Sequence, residues 1–124
     1  MDEGSIELII GDLKDPQITL RAIEGVDVVF HFAANPEIHF NENVVATFIL
    51  LEAMRKRGVK ELVFASSSSV YGEPKEIPVD ENAPIRPVSV YGASKAACEA
   101  LIHTYSEALR DKGDRTSLRK RCRS

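Results

Sequence analysis

The 124 residues, 44% hydrophobic and 28% charged, suffice for one ordinary domain and mark neither a disordered nor a fibrous chain. No apolar run approaches the roughly 18 residues that would span a bilayer, and the start, Met1-Asp2-Glu3-Gly4, lacks a basic-then-apolar leader, so cytosol is the default. The net charge of −3 hides a divide, −8 over residues 1–109 and +5 over 110–124, yet the basic end has no aromatics and reads as a frayed tail rather than a surface for nucleic acid or anionic lipid.

In chain order, Ile6-Glu7-Leu8-Ile9-Ile10 is a short apolar run closed by Gly11-Asp12, a strand with Asp12 at its carboxyl end. Asp15-Pro16 supplies a cap and a first-turn proline for a helix running to about Glu24, stopped by Gly25. Val26 to Phe32 is β-branched and aromatic, as in a strand covered on both faces. It ends in Ala33-Ala34-Asn35-Pro36, small enough for a flat ligand to reach the backbone, although the tetrapeptide by itself reads as the start of a loop. From Asn43 to Arg57, Val44, Phe48, Leu51 and Leu50, Met54 recur at helical spacing up to Gly58. Glu61 to Ala65 is a third strand leading into Ser66-Ser67-Ser68-Ser69.

Three strands alternating with helices predict an α/β fold with a parallel sheet. The stretch from Gly72 to Pro87 contains Pro74, Pro78, Pro84 and Pro87 and is neither helix nor central strand. Its length favours an active-site loop over a plain connector. Beyond it, Ala93, Ala97, Leu101, Tyr105 and Leu109 repeat every four residues in one long helix to about Arg110. The organisation expected is one domain over 1–110 and a basic tail over 111–124. Cys98 and Cys122 read as free thiols, and His31, His39 and His103 form no metal set. His31 is expected at the rim of its strand, and His39 and His103 on the surface.

Ligands of open parallel sheets bind at the carboxyl ends of strands, and Asp12, Ala33-Ala34 and Ser66-Ser67 all fall there. Tyr91 and Lys95, four apart, share a helix face. A free tyrosine, with a pKa of about 10, is a poor base at neutral pH, but a neighbouring ammonium favours phenolate. Such a cluster suits proton transfer at an alcohol or ketone. Taken singly, Tyr91 reads as core, Lys95 as a solvated charge and Ser67 as a turn residue; together, at strand ends, they read as a site.

The combination of Asp12, His31-Phe32-Ala33-Ala34, Ser66-Ser67 with Val70-Tyr71-Gly72, and Tyr91-Gly92-Ala93-Ser94-Lys95 resembles the extended short-chain dehydrogenase/reductases, the NAD-dependent epimerase/dehydratase group, over about Ile6 to Leu109. The resemblance implies a Rossmann-like doubly wound sheet, NAD as cofactor and a nucleotide sugar as substrate. It makes Tyr91 the catalytic tyrosine, Lys95 its partner lysine and Ser67 the hydroxyl that binds the reacting oxygen. Asp12 and Leu13 become adenine-side contacts. Phe32, Ala33, Ala34 and Asn35 become the strip beneath ribose and nicotinamide, Asn43 supports the lysine, and Ser66, Tyr91 and Lys95 complete the cofactor contacts. Ser68 and Ser69 stand where the related 4,6-dehydratases carry Asp and Glu, so the likeness points to a 4-epimerase of the UDP-glucose 4-epimerase type.

The likeness has gaps. No Gly-x-x-Gly-x-x-Gly turn is present, the first strand corresponds to the family's third, and the stretch from Ala34 to Asn43 is short. The expected fold is therefore a partial Rossmann-like sheet lacking the first two strand–helix units, a truncated fragment that binds NAD weakly or not at all. Ile6–Ile10 is expected to pair beside Val28–Phe32, or to meet a homo-oligomeric or complementing chain at that edge. Alternatives are a non-catalytic remnant or interaction module, or a dehydratase or reductase of the same family.

Overall fold

The computed structural model describes residues 4–35, 40–73, 80, 82–113 and, as backbone, 117–121. Along the chain lie α1 (Pro16–Ala22), β1 (Val28–His31), α2 (Phe40–Arg57), β2 (Glu61–Ala65), a 3-10 turn (Ser68–Tyr71), α3 (Val90–Asp111) and β3 (Ser117–Arg121). Asp15 caps α1 by accepting from the Gln17 amide at 2.9 Å, with Pro16 in the first turn. The last turn of α2 carries Arg55, Lys56 and Arg57 against the helix dipole, and the Val59 amide returns to the Met54 carbonyl at 3.0 Å. Ser89 caps α3, accepting from the Gly92 amide at 3.0 Å.

The sheet is parallel, in the order β1-β2-β3, with Val28 opposite Glu61 and Glu61 opposite Ser117. Alternation along β2 sends Leu62 and Phe64 to one face, where both are fully buried against Leu50, Leu51 and Met54 of α2 and Cys98 and Ile102 of α3. Each of these burials removes a whole apolar side chain from water, worth roughly 1.5–3 kcal/mol. Helix α2 packs against both α1 and α3. Tyr105 of α3 locks the pair, its hydroxyl donating to Glu52 at 2.5 Å.

This partial Rossmann-type α/β unit departs from expectation in four places. Ile6–Ile10 forms no strand and does not pair with β1. The Asp15 amide bonds the Asp12 carbonyl and Thr19 Oγ1 the Leu13 carbonyl, so the chain turns at once into α1, which packs on α2 and carries the run away from the sheet. Ile6, Leu8 and Ile10 are left 95%, 81% and 88% exposed. Second, the strand at Val26–Phe32 shortens to Val28–His31 and is covered on one face only, since the helices share that face; Phe30 and Phe32 lie bare on the other, ring centroids 5.9 Å apart. Third, Phe48 of α2 is exposed although its spacing matched the apolar stripe. Fourth, the basic stretch 111–124, expected to fray although Thr116–Arg119 begins to look like a strand, contains β3, whose backbone pairs with β2 as far as Arg121. Cys122, His39 and residues 74–79 and 81 of the Pro-rich loop lie outside the described residues.

Candidate active site

Three loops and two helix starts meet at the carboxyl ends of the strands. A cavity of about 520 Å³ opens there, lined by Ile10, Gly11, Asp12, Leu13, Ala33, Ala34, Asn35, Glu42, Asn43 and Ala46. Six of the residues expected around a cofactor, Asp12, Leu13, Ala33, Ala34, Asn35 and Asn43, are thus brought to one cavity. Phe32, Ser66, Tyr91 and Lys95 are not among its lining residues. Asp12 is shaped by its own loop: its carboxylate accepts from the Lys14 amide at 2.8 Å, which holds its pKa below the ordinary value. The Lys14 ammonium reaches across the mouth to Glu42 of α2 at 2.5 Å and to Asp12 at 3.4 Å.

Asn43 is the hub of the site. Buried in the first turn of α2, it accepts from the Asn35 amide at 2.9 Å and donates to the Asn35 carbonyl at 3.1 Å, fixing the backbone that follows β1. Its Nδ2 also donates to Ser94 Oγ at 2.9 Å, and Ser94 donates to the Tyr91 carbonyl at 2.7 Å. One carboxamide therefore ties the cavity floor to the first turn of α3, with all its polar atoms used, as burial demands.

That first turn is pressed against the segment after β2. A Cβ on Gly92 would stand 2.5 Å from the Ser69 carbonyl oxygen, so only glycine allows the approach. Gly72, at φ +65°, is equally confined: a Cβ would lie 2.0 Å from the Arg86 carbonyl oxygen, and the Arg86 amide bonds the Val70 carbonyl at 2.9 Å. Tyr91 is half-buried here. Lys95, one turn on, is only 2% exposed; its ammonium donates to the Ala65 carbonyl at 3.0 Å and sits 4.7 Å from the Phe64 ring centroid. Burial lowers its pKa from the usual lysine value.

Ser67 caps the 3-10 turn, and its Oγ accepts from both the Ser69 amide at 3.2 Å and the Ser69 hydroxyl at 2.8 Å. With both lone pairs occupied, its own proton is left to donate. Ser66 behaves differently: its hydroxyl is buried and donates to the Glu99 carboxylate of α3.

His31 corrects the expectation of a rim residue. It is 3% exposed, with Nε2 at 2.9 Å from Thr47 Oγ1 and its ring 5.5 Å from that of Phe64. Burial first, and the charge of Lys95 second, push its pKa down to about 4. His103 lies on the surface as expected, and Cys98 is a buried free thiol. Among the described residues no group of His, Cys, Asp or Glu could hold a metal ion, and no helix is long and apolar enough to cross a membrane.

Sequence reasoning missed Glu42, Thr47, Ser94 and Glu99. Three of these carried a signal. Thr47 stands four after Asn43, Glu99 four after Lys95, and Ser94 is enclosed by Tyr91 and Lys95, so each falls on a helix face already marked as functional. Glu42 carried none, because its contact with Lys14 crosses 28 residues of chain.

The chain is similar in sequence and backbone to known proteins. The chain is 42% identical to a UDP-glucose 4-epimerase of Streptomyces lividans over 74% of its own length and 32% of the relative's. A solved UDP-galactose 4-epimerase superposes with TM-score 0.76 at 51% identity, over 90% of this chain and 39% of that one. A UDP-glucose 4-epimerase from Bifidobacterium longum, solved in complex with NAD⁺ and UDP, gives TM-score 0.76 at 29% identity, over 90% and 36%. The chain spans about a third of the length of the curated relatives it matches. With residues 2–112 matching the family's profile, the chain belongs to the NAD dependent epimerase/dehydratase family.

Proposed function

We propose that this chain carries the proton-transfer centre of a sugar-nucleotide 4-epimerase, with Ser67, Tyr91 and Lys95 as its catalytic residues. The observation that supports this most strongly is the Asn43 hydrogen-bond relay, which joins a nucleoside-sized cavity to the helix turn bearing Tyr91.

NAD fits the residues present in part. Asp12, Leu13, Ala33, Ala34, Asn35 and Asn43 would hold its nucleoside end, since the two alanines leave the backbone approachable and Asp12 offers an acceptor. Bound NAD supplies reversible hydride transfer at the sugar carbon. The chain's own residues handle the proton. Tyr91 accepts it from the sugar hydroxyl and returns it, Ser67 donates a hydrogen bond to the same oxygen, and Lys95 places a positive charge one helical turn away, where it stabilises the phenol oxygen as it ionises. Ser68 and Ser69 provide no group able to act as acid or base in eliminating water at neutral pH, which favours epimerisation over dehydration. The pyrophosphate of NAD would find no glycine-rich turn within these 124 residues, so the chain by itself is expected to bind NAD more weakly than micromolar.

The test is a transplant. Residues 6–109 replace the matching segment of the Streptomyces lividans relative, and conversion of UDP-galactose to UDP-glucose is followed. Turnover by the chimera is the expected result; a folded, NAD-loaded chimera without turnover overturns the reading.

A further inference from the structure

Resting on the reading of Tyr91 as proton acceptor, we propose that His31 and Thr47 are positioning residues, a buried donor chain that fixes the first turn of α2 so that Asn43 can hold Asn35 and, through Ser94, the turn bearing Tyr91. Thr47 Oγ1 is fully buried and lies 2.8 Å from the Asn43 carbonyl and 2.9 Å from His31 Nε2. A hydroxyl has one proton, and the carbonyl can only accept, so that proton goes to Asn43. His31 must then donate from Nε2, which fixes its tautomer with the proton on Nε2 and none on Nδ1.

The chain of donors runs one way: His31 of β1 to Thr47, Thr47 to the Asn43 carbonyl. The same carbonyl accepts from Cys98 Sγ of α3 at 3.3 Å, so β1 and α3 grip the Asn43 backbone from two sides while its carboxamide works outward. Removing the Thr47 hydroxyl leaves a buried imidazole donor unsatisfied and takes one donor from the Asn43 carbonyl, and this loosens the turn where the carboxamide is anchored. His31 and Lys95 also share the Phe64 ring, at 5.5 Å and 4.7 Å. That ring spaces the imidazole from the ammonium and keeps the donor chain next to the lysine without joining it.

The experiment uses the full chain and needs neither ligand nor turnover, so its failure is separable from failure of the epimerase reading. Nitrogen-15 NMR of the imidazole at pH 7 should show His31 protonated at Nε2; an Nδ1-protonated ring overturns the proposal. Amide hydrogen exchange is then compared at Asn35, whose amide is held by Asn43, and at Val63 in β2. Thr47→Val should speed exchange at Asn35 by about tenfold more than at Val63, the equivalent of one lost hydrogen bond, and Thr47→Ser should restore it. Equal acceleration at both amides, or none at Asn35, reduces Thr47 to ordinary packing and overturns the proposal. Should Thr47→Val fail to fold, the tautomer and the Thr47→Ser exchange pattern decide: wild-type protection at Asn35 supports the donor chain, and its loss with the hydroxyl retained contradicts it.

Discussion

Residues 6–10 and 61–65 are both five-residue apolar runs with the same strand-like composition, and they end in opposite surroundings. Leu62 and Phe64 are fully buried, whereas Ile6, Leu8 and Ile10 are 81–95% exposed. The second run has a parallel neighbour on each side and two helices beneath it. The first is carried off by the turn into α1 and gains none of these. An apolar run thus states what a segment would bury if offered a place; the place itself is provided by other parts of the chain.

The largest expected effect sharpens that contrast. Phe64→Ala should cost roughly 3–5 kcal/mol of unfolding free energy, measured by urea denaturation, and should free the Lys95 ammonium from its ring. Leu8→Lys, in the matching run, should change stability by less than about 0.5 kcal/mol and should reduce self-association seen by sedimentation, because it interrupts an exposed apolar stripe. A cost above 2 kcal/mol for Leu8→Lys would show that residues 6–10 are buried in solution.

Acid is the next lever. Burial, with the charge of Lys95 second, pushes the His31 pKa down to about 4 in the folded chain against about 6.5 unfolded, so the unfolded chain binds the extra proton first. Stability should be unaffected by this group above about pH 6.5, fall as pH drops toward 4, and level off below, losing on the order of 3 kcal/mol in all. His31→Phe should remove that slope. An unchanged slope in the variant would mean that carboxylates, not this histidine, govern the acid limb. A smaller effect belongs to the α3 cap, where Ser89→Ala should cost about 1 kcal/mol and, by fraying the turn of Tyr91, should weaken protection at the Gly92 amide.

Much of this was legible in the chain. The turn at Asp12, the strand at Glu61–Ala65, the stops at Gly25 and Gly58, and the helix through Lys95 follow from local rules that need no partner. The cavity lining at Ala33, Ala34 and Asn35 followed from strand-end placement together with family likeness. What stayed hidden depends on contacts distant in sequence. His31 looked like a rim residue because its strand ends there, yet it is Thr47, sixteen residues on, that gives the imidazole a buried partner. Residues 6–10 looked like a strand beside β1 because nothing in five apolar residues records that the loop after them is fixed by Asp12 and Leu13. β3 was legible only in part: Thr116–Arg119 begins to look like a strand, but the charges that follow hide its full span, because its pairing rests on backbone groups shared with β2.

The claim that matters most is that Tyr91 carries the proton, and turnover of the Tyr91→Phe form of the transplanted protein measures it directly. Removing the phenol oxygen while keeping the ring should abolish conversion of UDP-galactose with NAD still bound, whereas Ser67→Ala should leave a weaker residual rate. Turnover by Tyr91→Phe equal to that of the unmodified chimera would contradict the assignment.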